Sequence, residues 1–202
     1  MDRSLIFWDV DTQVDFMLPE GKLYVPGAEA IIPTLAQLTQ WAEQRGVLVV
    51  ASADAHQPGD EEFSKYPPHC LAGTPGQRKI PETLLAPHFT IPNRSGAELP
   101  DPGRYQQIVI EKQKFDVFTN PNTEGFLSRL GKPEIVLYGV VTEICVAAAA
   151  SGLLDRGYRV TVVEDAIRHL DAKPARAFLE EVRRRGGQMV TLEELLSRRA
   201  AA

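Results

Sequence analysis

The sequence predicts an α/β fold: a three-layer, doubly wound sheet that is mostly parallel, with five to six strands and helices on both faces. Short β-branched runs alternate with segments of helical spacing along the chain. These runs are apolar throughout instead of alternating with polar residues, as in strands that are covered on both faces. Alternation of strand and helix favours parallel pairing, because a crossover helix returns the chain to the edge where the strand began.

Six runs have the length and composition of buried strands. They are Leu5–Val10, Val47–Ala53, Gln107–Glu111, Ile135–Val141, Val160–Glu164 and Gln188–Thr191. Five segments between or after them are predicted helices. They are Glu29–Arg45, Thr123–Leu130, Glu143–Arg156, Ala172–Arg185 and Leu192–Arg199. The region from Gln57 to Leu99 is rich in Pro and Gly and has no clear period, so we expect a long irregular segment with a functional role.

Composition limits the classes of function. The chain has 202 residues and a formal net charge of −5, and we expect one domain over residues 1–202. Because it has no basic run, we expect neither nucleic acid nor an anionic membrane as a partner. No apolar stretch approaches the ~20 residues that span a bilayer, and Met1–Trp8 does not resemble a secretory signal. We therefore expect a cytoplasmic protein in which Cys70 and Cys145 are reduced thiols.

Reactive residue types follow four of the predicted strands, at the point where each strand ends. Asp11 follows the first strand, Asp54 and His56 the second, Lys112 the third and Cys145 the fourth. Ligands bind outside the carboxyl ends of the strands in open parallel sheets. The sequence therefore predicts one active site on this edge.

Cys145 is the candidate nucleophile of that site. A free cysteine has a pKa of about 8.5, and an ammonium about 4 Å away contributes up to ~4 kcal/mol at an effective dielectric constant near 20. We expect Lys112 to make the thiolate common in this way, and Asp11 to shuttle the proton. The alternative is that Cys145 is a small apolar residue of the core.

Asp54 and His56 are candidate metal ligands. They lie two residues apart where a strand ends, so both side chains point to the same face. His69 follows 13 residues after His56 on the irregular segment. Two imidazoles and a carboxylate with open positions suit zinc, iron or manganese. The alternative is that all three are solvated loop residues.

Four segments in order along the chain resemble the isochorismatase-like cysteine hydrolase superfamily, and within it the metal-containing nicotinamidase branch. They are Asp11-Thr-Gln-Val-Asp15-Phe16, Asp54-Ala-His56 with Tyr66-Pro-Pro-His69-Cys70 and Gly73-Thr-Pro-Gly76, Glu111-Lys112-Gln-Lys-Phe-Asp-Val-Phe118, and Gly139-Val-Val-Thr-Glu-Ile-Cys145-Val146. The resemblance covers nearly the whole chain.

The resemblance implies a hydrolase that cleaves a small carboxamide to acid and ammonia through a thioester. The implied catalytic residues are Asp11, Lys112 and Cys145. The resemblance also implies a cis peptide between Val140 and Val141, and an oxyanion hole formed by the amides of Val141 and Cys145. One divalent ion, zinc before iron or manganese, would be held by Asp54, His56 and His69. Phe16 and Tyr66 are candidate pocket walls, and a homo-oligomer, dimer or tetramer, is expected.

Several alternatives stay open at this point. The segment from Lys112 to Phe118 is shorter than in nicotinamidases, which favours a metal-free or differently specific relative acting on carbamoyl or ureido amides or on isochorismate. Asp9-Val-Asp11 after the first strand resembles a haloacid-dehalogenase phosphatase, and a metal-binding or scaffold protein without activity is a fourth possibility. Glu61 and Glu62 are interpreted as plain loop charges, Lys114 as a surface residue, and Asp9 has no assigned role.

Overall fold

The computed structural model describes residues 4–200, in which seven strands form one sheet. The strands are β1 Leu5–Val10, β2 Leu48–Asp54, β3 His88–Ile91, β4 Gln107–Lys112, β5 Glu134–Val140, β6 Arg159–Arg168 and β7 Gln188–Val190. Their order across the sheet is β3-β4-β2-β1-β5-β6-β7, and every neighbouring pair is parallel. The predicted α/β class and parallel sheet are confirmed.

Within residues 4–200, six α-helices accompany the sheet. They are α1 Val14–Met17, α2 Ile32–Arg45, α3 Thr123–Ser128, α4 Ala147–Asp155, α5 Ala172–Arg184 and α6 Leu192–Ala200. Alternate residues of β1 show how the layers form: Phe7 packs in the same apolar cluster as Leu35 of α2, whereas Trp8 packs in the cluster that contains Leu153 of α4. Helices α2 and α6 cover one face and α3, α4 and α5 the other, which gives the predicted three layers. Within residues 4–200 no helix is long and apolar enough to cross a bilayer.

The strand count differs from the five to six that the sequence predicts. The additional strand is β3, which lies inside the region predicted as irregular and pairs with β4 at the edge of the sheet. His88 and Thr90 are exposed and only Ile91 is buried. An edge strand with one covered face does not have the continuous apolar run that marks the central strands. The sequence therefore contains no signal by which β3 could be predicted.

The chain reverses its direction of travel across the sheet at β1. From β1 it moves to β2 and onward to β3 and β4, and then returns to place β5 on the other side of β1. The crevice at the carboxyl ends of β1 and β5 is therefore a topological switch point, where ligands of doubly wound folds bind.

A buried ion pair holds the irregular segment to β1. Lys79 Nζ lies 2.7 Å from Asp9 Oδ2 and donates a hydrogen bond to Thr12 Oγ1 at 2.7 Å. Both charged side chains are buried. Asp9 thus serves as the partner of Lys79 and ties the first strand to a segment 70 residues later.

Removing one partner of this pair will destabilise the fold more than removing both. Lys79→Met leaves a buried carboxylate without its cation, and we expect the free energy of unfolding to fall by about 3 kcal/mol. The double variant Asp9→Val/Lys79→Met buries no charge here and should recover at least half of that loss. Urea unfolding followed by tryptophan fluorescence measures both. A double variant less stable than Lys79→Met would contradict this account.

Candidate active site

The predicted nucleophile, base and lysine lie together at the carboxyl ends of the strands. Lys112 Nζ lies 2.9 Å from Asp11 Oδ2, forms a hydrogen bond with Asp54 Oδ1, and lies 3.7 Å from Cys145 Sγ. All four side chains are buried. One ammonium group therefore contacts the thiol and both carboxylates.

Asp11 is oriented by the strand next to its own. Its backbone N–H donates to the Ser52 carbonyl at 3.2 Å, and the Ser52 hydroxyl donates to Asp11 Oδ1 at 2.6 Å. Its other carboxylate oxygen faces Lys112. The sequence did not single out Ser52, because a serine inside a buried strand carries no motif.

Cys145 lies in a π-helical turn, Thr142–Val146, between β5 and α4. The peptide between Val140 and Val141, just before this turn, is cis, as the resemblance implies. Gly139 comes before it with a φ of 117°. A Cβ atom at Gly139 would lie 2.1 Å from the Val10 carbonyl oxygen. Only glycine allows β5 to approach the end of β1 this closely.

Burial and charge determine the protonation of the central groups. Burial raises the pKa of Asp11 above its ordinary value, although Lys112 opposes the shift. Burial alone would lower the pKa of Lys112, but Asp11 and Asp54 raise it well above its ordinary value. Burial also raises the pKa of the Cys145 thiol well above its ordinary value. Lys112 lowers this pKa, but the negative charges of Asp11 and Asp54 raise it further. These effects favour a thiol at Cys145, against the expectation that Lys112 makes the thiolate common.

The predicted metal ligands form a buried cluster. One ligand atom each from Asp54, His56 and His69 can be chosen so that all three lie within 4.8 Å of one another. The Nε2 atoms of His56 and His69 lie 3.7 and 3.8 Å from Asp54 Oδ2. Each Nδ1 atom has a partner, Asp60 Oδ2 at 3.0 Å and the Pro67 carbonyl at 2.9 Å. Neither Nε2 atom has a hydrogen-bond partner within residues 4–200.

This donor set fits a divalent transition metal. Two buried imidazole nitrogens that lack a hydrogen-bond partner within the described chain and face a shared carboxylate are costly without an occupant. Two nitrogen ligands and one oxygen ligand, with positions left open, suit zinc and its neighbours in the first transition row.

The backbone of Asp54 is held by a side-chain clamp. Gln13 Oε1 accepts the Asp54 N–H at 2.7 Å, and Gln13 Nε2 donates to the Asp54 carbonyl at 2.8 Å and to the Gln77 carbonyl at 2.7 Å. Gln13 is fully buried. A single amide therefore joins the end of β2 to the irregular segment.

A cavity opens beside Cys145 and the cluster of Asp54, His56 and His69. Its lining is mainly aromatic and aliphatic, with three carboxylates, one imidazole and the Cys145 thiol. The lining residues are Asp11, Phe16, Leu23, Tyr24, Val25, Asp54, Glu62, Tyr66, His69, Phe115, Val140, Val141, Ile144, Cys145 and Leu170. The predicted pocket residues Phe16 and Tyr66 are among them, and no Arg or Lys of the described chain lines it.

Glu62 is a site residue that the sequence interpretation missed. Its Oε1 atom lies 3.7 Å from His69 Nε2, and burial, with the charge of Asp54, raises its pKa. The neighbouring Glu61 is exposed and pairs with Lys114, as expected for surface charges. The 3-10 turn Glu61–Ser64 directs one glutamate inward and the other outward, and no sequence pattern separates the two.

Comparison with protein families matches the isochorismatase domain over residues 5–194. The chain belongs to the isochorismatase family. The predicted superfamily is thus confirmed, and the phosphatase alternative is excluded. Members of this family are hydrolases, and its nicotinamidases act on amide C–N bonds.

Individual relatives of this isochorismatase-family protein are distant in sequence but similar over nearly their full length. A nicotinamidase of Escherichia coli is 28% identical over 198 residues, covering 88% of this chain and 90% of the relative. A maleamate amidohydrolase of Pseudomonas putida is 26% identical over 188 residues, covering 93% and 83%. The crystal structure of a pyrazinamidase of Pyrococcus horikoshii in complex with zinc superposes with a TM-score of 0.76 at 26% identity, covering 93% and 99%.

Truncating the Gln13 side chain will lower the free energy of unfolding of the protein. Gln13→Ala leaves the Asp54 N–H and two carbonyls without their buried partner, and we expect the free energy of unfolding to fall by about 2 kcal/mol. The matched control is Gln106→Ala, since Gln106 donates to the Val47 carbonyl at 3.3 Å in a partly exposed position. We expect a change below ~0.5 kcal/mol there. Urea denaturation compares the two, and equal losses would contradict a special role for Gln13.

Proposed function

We propose that this protein is a metal-dependent, nicotinamidase-like amidohydrolase that cleaves a small uncharged carboxamide to an acid and ammonia through a thioester on Cys145. The observation that carries the proposal is the position of Lys112, which contacts the thiol, the proposed base Asp11 and the proposed metal ligand Asp54 at once. The proposed nucleophile and the proposed metal site thereby share one buried cation beside one cavity.

In the first half of the reaction, Asp11 takes the proton of the Cys145 thiol as sulfur bonds to the carboxamide carbon. The raised pKa of Asp11 makes this carboxylate a stronger base than an exposed one. Lys112 stays an ammonium and offsets the negative charge as it develops. The amides of Val141 and Cys145 are the proposed donors to the oxyanion, and such donors are often worth ~3 kcal/mol each.

In the second half, the proton held by Asp11 passes to the amide nitrogen. The C–N bond breaks, ammonia leaves, and a thioester on Cys145 remains. Asp11 then takes a proton from water as the water oxygen bonds to the thioester carbon. The C–S bond breaks, the acid leaves and the thiol recovers its proton, so the site returns to its starting state.

Asp54, His56 and His69 would hold the divalent ion, zinc first, with Glu62 beside them. A bound ion would supply a Lewis acid that can coordinate a lone pair of the substrate, such as that of a ring nitrogen. The charge balance supports a cation here. Asp11 and Asp54 share one ammonium, which leaves a buried negative charge that a metal would compensate.

The lining of the cavity favours an uncharged substrate. Three carboxylates, Asp11, Asp54 and Glu62, lie among apolar walls. An anionic substrate such as maleamate would need a further cation besides the proposed ion, whose charge the carboxylates already offset, and no Arg or Lys of the described chain lines the cavity. The alternative is a metal-free or differently specific hydrolase of the family. It predicts a preference for anionic substrates, or activity that does not depend on a metal ion.

Three further expectations stay predictions: a single domain over residues 1–202, a homo-oligomer and a cytoplasmic location.

An ammonia-release assay over nicotinamide, pyrazinamide, maleamate and a carbamoyl amino acid tests substrate and metal together. We expect kcat/KM for nicotinamide to exceed that for maleamate by at least tenfold, because no Arg or Lys of the described chain lines the cavity to pair with the maleamate carboxylate. Prolonged dialysis against a chelator should reduce nicotinamide turnover at least tenfold, and added zinc should restore it. Full activity with less than a tenth of an equivalent of metal would favour the metal-free alternative.

Replacing the nucleophile tests the covalent step. Cys145→Ala removes the sulfur that forms the thioester, so we expect kcat to fall at least a thousandfold. Cys145→Ser retains the size and still loses most turnover, since a buried hydroxyl is harder to deprotonate than a thiol. Circular dichroism and the metal content should match the wild type in both variants. Wild-type turnover by the serine variant would eliminate covalent catalysis by Cys145.

A further inference from the structure

A half-buried carboxylate lies behind one of the proposed metal ligands and takes no part in the chemistry above. Asp60 Oδ2 lies 3.0 Å from His56 Nδ1, the ring nitrogen that does not face Asp54. We propose that Asp60 is a positioning residue that fixes the tautomer and the direction of His56 toward a divalent metal ion. This inference rests on the proposed function and deepens its metal site.

The chemistry of the contact determines which nitrogen is available. An ionised carboxylate only accepts hydrogen bonds, so His56 Nδ1 must carry the hydrogen. Its Nε2 atom then presents a lone pair toward Asp54 and His69, the position a metal needs. A carboxylate partner also increases the basicity of the ring, which strengthens its bond to a metal.

Asp60 is itself held in place. The Gln57 N–H donates to Asp60 Oδ2 at 3.0 Å, and the Asp60 N–H donates to the Gln57 carbonyl at 3.1 Å. The Phe63 ring packs against the imidazole of His56 with centroids 5.1 Å apart. The ring is thus fixed by a hydrogen bond and by packing, and both come from the same short turn.

The two histidines are oriented by different kinds of partner. His69 Nδ1 lies 2.9 Å from the Pro67 carbonyl, a backbone group that no side-chain substitution removes. His56 depends on a side chain instead. Asp60 is therefore a position at which substitution removes the hydrogen-bond partner of a proposed ligand while all three proposed ligands stay in the chain.

Zinc affinity separates positioning from a merely structural role. A residue that only caps the turn would change the melting temperature of the metal-free protein and leave the zinc dissociation constant unchanged. The variants are Asp60→Ala, which removes the acceptor, and Asp60→Asn, which keeps an acceptor for the Nδ1 hydrogen and loses the charge. Asp101→Ala is the matched control, because Asp101 also accepts a nearby backbone N–H, that of Gly103 at 2.9 Å, and does not line the cavity.

The full-length protein is loaded with zinc and titrated with a chromophoric zinc chelator. We expect one zinc per chain in the wild type, a dissociation constant about 10- to 100-fold larger in Asp60→Ala, an intermediate value in Asp60→Asn and an unchanged value in Asp101→Ala. An Asp60→Ala constant within twofold of the wild type overturns the inference. If that variant does not fold, Asp60→Asn decides, and it must bind zinc at least threefold more weakly than the wild type.

Failure of the proposed function gives a different result. A wild-type protein that takes up less than a tenth of an equivalent of zinc removes the metal from the mechanism, and the role of Asp60 falls with it. A wild type that binds one equivalent, together with an Asp60→Ala variant that binds equally well, overturns only the positioning role.

Discussion

The ammonium of Lys112 is the interaction on which the site depends. It is only 1% exposed and is shared between Asp11, Asp54 and Cys145. Taking an ammonium out of water costs several kcal/mol, and two carboxylates in direct contact offset that cost. Removing Lys112 would leave both carboxylates without their shared cation, so the ends of β1, β2 and β4 are linked electrostatically as well as by the sheet.

The carboxylate of Asp54 lies between Lys112 and the proposed metal site. One of its oxygens contacts Lys112, and the other faces the imidazoles of His56 and His69. A cation at the imidazoles would attract the Asp54 carboxylate and weaken its interaction with Lys112. The ammonium of Lys112 would then stabilise a thiolate on Cys145 more strongly. The proposed metal site and the proposed nucleophile are therefore coupled through Asp54, whose backbone accepts and donates two of the three hydrogen bonds of Gln13.

The sequence predicts the convergence of these residues for a geometric reason. Parallel strands end at the same edge, so strand boundaries alone bring Asp11, Lys112 and Cys145 together. Properties that depend on three-dimensional surroundings could not be predicted in the same way. The pKa of Cys145 rises because burial and two carboxylates outweigh one lysine, and Glu62 faces the cavity because of a short 3-10 turn. The edge strand β3 escaped prediction because its exposed residues break the apolar run.

The polar segment after β1 explains how an irregular region can hold the proposed metal ligand His69 in place. Asp11 contacts Lys112, Gln13 clamps the backbone of Asp54, and Asp15 accepts the N–H of Cys70, the residue after His69, at 2.7 Å. A Cβ atom at Gly76 would lie 2.2 Å from Asp15 Oδ2, so glycine is needed for the segment to pass this close. Of these three alternate residues, Asp11 is the proposed base, Gln13 holds the backbone of the proposed ligand Asp54, and Asp15 holds the backbone beside His69. These residues follow directly after β1, so the position of that strand end determines where all three side chains lie. One short stretch therefore positions both the group around Cys145 and the cluster of Asp54, His56 and His69.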